Sequence, residues 1–299
     1  MPTLVESMTR LGGVATRSEL MGVTSRAALG RALADGSVHR PRRGRYVLPE
    51  VEESRRTAHE LSGVVGLRSA ALAHGWKVRM VPPRPEVIVP TSRNVRADSR
   101  RRASLRRSTL AAHEVANGVT TPLRTVVDCA RHLPFDEALS VADSALRSGQ
   151  LKRGDLLRAA ATIRGAGRVR VVRVLTEARA KAANPFESSL RAIALDVPGL
   201  AVVPQVGILV CGQRVAPDLV DVQLGLVLEA DSHEFHTRRR QLTGDCWRYD
   251  ELVVAGWTVL RFTWEQVMFE QPWVRSVLER AVARAARTHQ PAMARRTHA

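Results

Sequence analysis

Between Leu200 and Asp231 the chain reads LAVVPQVGILV, CGQR, VAPDLVDV, QLG and LVLEAD: three runs rich in β-branched residues, separated by two turn sequences. Branched side chains pack well on a pleated surface, and connections this short join antiparallel strands, so the stretch is expected to be a meander. Helical patterns stand on both sides of it, NPFESSLRAIALDV before and GDCWRYDELVVAGW after. The C-terminal part is therefore expected to be a mixed sheet flanked by helices. Strand alternation places Val227, Glu229 and Asp231 on one side of their strand, and Asp218 comes alongside across a short turn. Asp221, three residues from Asp218, points to the opposite face.

Carboxylates gathered in this way repel one another and resist burial unless a cation or bound protons neutralise them. Magnesium, or manganese in its place, is the expected occupant. It takes oxygen ligands, polarises a phosphoryl group and activates a water for in-line attack. The rest of the chain suits the same substrate. Lys and Arg number 46 against 29 Asp and Glu, a formal charge of +17, and most of the cations are arginine, whose planar fork matches phosphate. DNA is the expected partner. No apolar run approaches the ~20 residues of a spanning helix and no signal-peptide core is present, which leads to the expectation of a cytoplasmic, non-membrane protein. Cys129, Cys211 and Cys246 are widely spaced and lack a CxxC pair, so buried free thiols are expected rather than a disulfide framework or a structural zinc site. Oligomeric state is left open.

The 299-residue length allows several domains. Residues 1–50 divide into short helices and a basic hairpin. Thr16 and Glu19 stand at capping-box spacing, a helix follows Thr24 or Ser25 and carries Arg26 and Arg31, and VHRPRRGRYVLP supplies Arg40, Arg42, Arg43 and Arg45. Three helices and a basic ribbon predict a winged helix-turn-helix that touches DNA or, alternatively, a protein partner. The texture of GGVATRSEL and RPRRGRY resembles the N-terminal winged-helix domain of abortive-infection type antitoxins.

Residues 51–180 are expected to form a mixed α/β middle domain. It includes TSRNVRADSRRRASLRR, a loop whose Arg100, Arg101 and Arg102 are either solvated or track phosphates, and a helical hinge. Asp128, Asp136 and Asp143 are expected on solvated helix faces. Residues 181–285 hold the meander, and residues 286–299 read as a basic tail. The fold class expected for the whole is multidomain α+β or α/β.

APDLVDVQLGLVLEAD, SHEFH, GDCWRYDELVVAGW and TVLRFTWEQV together resemble the very-short-patch-repair-like branch of the PD-(D/E)xK restriction-endonuclease superfamily. The resemblance covers roughly residues 184–270. It implies a restriction-endonuclease-like fold in which Glu187, Asp218 and Glu229 approach the metal, while Asp231 stands where the superfamily has its lysine. His233 or His236 would then serve as base, and Asp245 and Arg248 would be a supporting ion pair or a substrate contact. Glu187 has a second explanation, since Asn184, Pro185 and Glu187 also fit an N-terminal helix cap. The resulting expectation is a metal-dependent DNA endonuclease, the alternative being a DNA-binding regulator of antitoxin type whose nuclease fold no longer catalyses.

Overall fold

The structure is a computed structural model that describes residues 3–11, 13–95, 101–182, 184–231 and 239–288. The chain is a multidomain protein mixing helices and sheets. It divides into two compact units, Met1–Ser188 and Ser189–Ala299.

The first unit opens with α1 (Leu4–Arg10), β1 (Val14–Thr16), α2 (Arg17–Val23), α3 (Arg26–Ala34), β2 (His39–Arg42) and β3 (Arg45–Val47). Each helix starts where a side chain relieves its unpaired amides. Thr3 with Glu6 and Thr16 with Glu19 form reciprocal capping boxes, and Ser25 accepts from the Ala28 amide. The strands form an antiparallel sheet in the order β1-β3-β2, closed over Met8, Leu20, Leu29 and Tyr46. Gly44, at φ +76°, makes the tight turn of the β2–β3 ribbon. Arg26 and Arg31 are exposed on α3, Arg40 is exposed on β2 and Arg43 at the turn. Arg42 and Arg45 face each other in the ladder, their side chains lying outside the described residues.

The same unit continues through α4 (Pro49–Glu60), β4 (Val64–Val65), α5 (Leu67–Ala73), β5 (Glu86–Val89), β6 (Ser104–Arg107), β7 (Val115–Ala116) and β8 (Val119–Thr120). The five strands make a mixed sheet in the order β6-β5-β4-β8-β7. Helices α6 (Pro122–His132), α7 (Phe135–Arg147), α8 (Arg153–Thr162) and α9 (Arg168–Glu177) follow, packing Val126, Val141, Leu156 and Leu175 into one core with Leu72 and Trp76. Lys77 Nζ pairs with Glu19 Oε1 at 2.5 Å, tying the α2 capping box to this core.

Three expectations are corrected here. The end of the arginine-rich loop is strand, not loop: Ser104–Arg107 runs parallel to β5, and Ala103 is buried beneath it. Backbone pairing at an open sheet edge outweighs the solvation preference of the arginines. Arg101 and Arg102 are exposed, Arg102 pairing with Glu60 at 2.9 Å, and Arg100 lies outside the described residues. Secondly, Asp128 and Asp143 are buried, at 4% and 0% exposure. Asp128 is held by Arg124 at 2.8 Å, while Asp143 accepts from the Arg179 amide at 2.7 Å and from the Ser188 hydroxyl at 2.8 Å. Asp128 is met by Arg124 one turn earlier on its own helix, whereas the donors to Asp143 are tertiary and no helical period reveals them. Asp136 pairs with Arg79 at 3.1 Å. Thirdly, Cys129 is buried but Cys211 and Cys246 are exposed.

A buried ion network also holds this unit together. Arg68 reaches Glu86 Oε1 at 2.7 Å and Glu137 Oε2 at 2.8 Å, and its amide donates to Glu86 Oε2. The sheet and α7 are thereby joined through one guanidinium.

Helix α10 (Pro185–Ala194) carries the boundary between the units. Beyond it lie β9 (Val203–Pro204), β10 (Ile208–Val210), β11 (Gln213–Val215), β12 (Leu219–Asp221), β13 (Leu226–Asp231), α11 (Arg239–Val254), β14 (Thr258–Thr263), α12 (Trp264–Phe269) and α13 (Gln271–Thr288). The main sheet has the order β14-β13-β12-β9. Strands β9, β12 and β13 pair antiparallel, and α11 precedes β14, which pairs parallel to β13. The meander is thus interrupted: β10 and β11 pair only with each other, as a separate hairpin turning at Cys211 and Gly212. Val220, Val227 and Leu252 pack with Ile208, Val210 and Val215 in one apolar cluster of this unit, and Leu219, Leu228, Phe262, Val274 and Leu278 are buried as well. Among the described residues, no helix is long and apolar enough to cross a membrane.

Candidate functional site

The β12–β13 ladder sets Leu219 against Leu228 and Val220 against Val227. Continuing that register by one residue places Asp218, just before β12, opposite Glu229. Asp218 is fixed there by two donors, the Ala230 amide at 2.9 Å to Oδ2 and Gln205 Nε2 at 3.3 Å to Oδ1. Glu229 is 4% exposed, because β13 is buried along its first four residues.

The two carboxyl groups face each other across the continued ladder. Burial, and then the charge of Asp218, push the Glu229 carboxyl up to about 8, and burial also raises Asp218. At neutral pH the pair therefore holds a proton between two acids. Glu229 Oε1 is buried with no hydrogen-bond partner among the described residues, and Arg248 Nη2 stands 3.6 Å from it. Such an orphaned oxygen is costly in a folded chain, and a donor or a cation in reach of it relieves the cost.

Asp231 lies on the same side of β13 as Glu229 but is engaged elsewhere. Its Oδ2 is ion-paired with Arg261 Nη2. Parallel pairing sets Arg261 directly beside Glu229, so this pair closes over the end of the ladder. The Arg261 guanidinium lies 4.2 Å and that of Arg248 4.9 Å from the centre of the Tyr249 ring, and Arg248 Nη2 donates to the Tyr249 hydroxyl at 2.9 Å. Two cations are thus held near the acidic pair by one aromatic ring. Burial and the nearby Glu229 raise the Tyr249 hydroxyl, which stays protonated.

Other sequence-predicted residues fall in different places. Glu187 belongs to the first unit, where its amide donates to Asn184 Oδ1 at 3.0 Å and its Oε1 accepts from Asn184 Nδ2 at 2.8 Å, the arrangement of a helix cap. Asp221 accepts from the Ala201 and Leu224 amides at 2.7 and 3.0 Å, which makes it a turn-forming residue. His233 and His236 lie outside the described residues. Asp245 lies on α11, its side chain outside them as well. Among the described residues no group of three His, Cys, Asp or Glu side chains is placed to hold a metal ion. Tyr249 and Gln205 were missed in the sequence. Tyr249 adjoins Arg248 in WRYD, but only the β13–β14 register brings Arg261 to its ring.

No model of a known protein family matches the chain. Over 170 residues it is 29% identical to two proteins of Mycobacterium tuberculosis, uncharacterized protein MT2308 of strain CDC 1551 / Oshkosh and uncharacterized protein Rv2248 of strain ATCC 25618 / H37Rv. The matched region is 56% of this chain and 62% of each relative, so less than two thirds of those proteins is spanned. Among solved structures, that of the RV2827C protein from Mycobacterium tuberculosis is 14% identical, matching 64% of this chain and 74% of that one with a TM-score of 0.27, too low to bear on fold or function.

Proposed function

We propose that the chain is a metal-dependent DNA endonuclease. One observation carries this reading: Asp218, half-buried just before β12, and Glu229, buried on β13, form an acidic pair whose Glu229 Oε1 has no hydrogen-bond partner among the described residues. Two hard oxygen donors with an open valence suit magnesium or manganese, an ion that keeps most of its shell as water. Bound there, it would supply Lewis-acid polarisation of a phosphoryl oxygen. Asp218 is oriented for the task by Ala230 and Gln205. Arg248 and Arg261, stacked on Tyr249, are the cations placed to meet phosphate, and the exposed arginines of α3 and of the β2–β3 ribbon hold the polyanion. The order of helix, three antiparallel strands, helix and parallel strand supports the restriction-endonuclease-like reading.

A second reading rests on Asp231. It stands in the position of the superfamily lysine and is neutralised by Arg261, so it lacks the positive charge that would stabilise a developing phosphorane. This favours a DNA-binding regulator on a nuclease-like scaffold. Incubation of supercoiled, mismatched and single-stranded DNA with magnesium or manganese separates the two. Cleavage that disappears in Asp218→Ala and Glu229→Ala supports the nuclease. Salt-sensitive binding without cleavage in either metal refutes it.

A further inference from the structure

A cleft of about 1020 Å3 opens in the first unit between the edge strand β6 and helices α6 and α8. Leu67 and Ile88 are buried at its floor, with Leu105, Leu123, Val127 and Ile163 above them. Arg106 and Arg107 enter from β6, and Arg131 and His132 from the last turn of α6. Two acids line the same wall, Glu114 and Asp128; Arg124, 2.8 Å from both, offsets one of their two charges, and Arg106, Arg107 and Arg131 outweigh the other. Arg107 donates to the carbonyls of Thr91 and Arg93, and Arg131 to that of Ala166 at 2.8 Å. Those bonds orient the guanidinium groups without cancelling their charge. The cleft is therefore apolar inside and cationic at its mouth.

We infer that this cleft binds a small organic anion with an apolar body, its charged head between Arg106 and Arg131 and its body on Leu123 and Val127. Its volume lies at the upper end for small-molecule sites, and its lining combines apolar side chains with a few cations. A duplex backbone offers nothing apolar to such a floor, and a neutral apolar ligand would leave the arginines without use. The inference stands independently of the nuclease reading.

The probe is 8-anilinonaphthalene-1-sulfonate, an aryl sulfonate, titrated into the full-length protein by fluorescence, with neutral N-phenyl-1-naphthylamine as its uncharged counterpart. One saturable site is expected, about tenfold or more tighter for the sulfonate. Arg106→Glu at the mouth and Thr162→Trp, which fills the cleft from an exposed position on α8, should each weaken it about tenfold with unchanged thermal midpoints. The neutral-dye comparison needs no variant and holds if either substitution disturbs folding. Absence of a saturable site, equal affinity for the two dyes, or indifference to both substitutions overturns the inference. So does displacement of the dye by a short single-stranded oligonucleotide at matching concentration, which would assign the cleft to nucleic acid.

Discussion

Glu229 faces Asp218 across the continued β12–β13 register, and burial together with the charge of Asp218 pushes the Glu229 carboxyl up to about 8, so that the pair keeps a proton at neutral pH. The proton compensates for a charge that the buried strand cannot otherwise accommodate, and a cation offered to the same oxygens would displace it.

Stability should follow that proton. The Glu229 carboxyl titrates near 8 in the folded chain against an ordinary value of 4.5. Below 4.5 folded and unfolded chains both carry the proton, and between 4.5 and 8 only the folded chain does. Stability contributed by this group is thus full at the acid end and is lost as pH rises through 8. Glu229→Gln should remove that slope and make the chain more stable than wild type at the alkaline end, the difference being on the order of a few kcal/mol. Denaturant titrations across this range with a chelator present measure it. Parallel pH profiles for the two proteins would contradict the shared proton.

Arg68 should be a hinge of stability in the first unit. Its removal leaves Glu86 and Glu137 buried without their counter-charge. Breaking such a group costs about 3 to 5 kcal/mol. Arg68→Ala should therefore lower the thermal midpoint by many degrees, and restoring the balance with Glu137→Gln should recover part of it. A midpoint within a degree or two of wild type would show the network to be of little weight.

Asp231→Asn should release Arg261 from its ion pair. Both groups are partly exposed, at 18% and 41% of their side chains, so solvent screens the pair and stability should change by less than about 1 kcal/mol. DNA affinity at low salt should rise, because one cation is freed beside the acidic pair and one anion is removed. Filter binding of wild type and variant decides it, and equal or weaker binding by the variant would count against a phosphate role for Arg261.

Arg26→Gln with Arg31→Gln should weaken duplex DNA binding through the exposed face of α3. Each phosphate that is no longer neutralised reduces the slope of log affinity against log salt by about 0.9. Binding isotherms at several salt concentrations give that slope. An unaltered slope would move the duplex interface away from α3.

Much of the site was visible in the chain itself. Alternation within LVLEAD puts Glu229 and Asp231 on one side, and the turn at QLG returns the chain so that Asp218 meets Glu229. Capping residues announced α2 and α3, since an N-terminal cap is a local bond between residues three apart. Asp128 and Asp143 were not legible in the same way. Their helical spacing resembles that of solvated residues, and only Arg124, the Arg179 amide and Ser188 make their burial tolerable.

Helices, strands and the facing of Asp218 toward Glu229 were thus already written in the order of the residues, because period, capping and short turns act over a few positions. Three-dimensional packing supplied the rest: that Arg261 neutralises Asp231, that Tyr249 gathers two guanidinium groups, and that the end of the arginine-rich stretch becomes an edge strand of the sheet. Those outcomes depend on the parallel pairing of β13 with β14 and of β5 with β6 and on the packing of α11 against β14, none of which a local pattern sets.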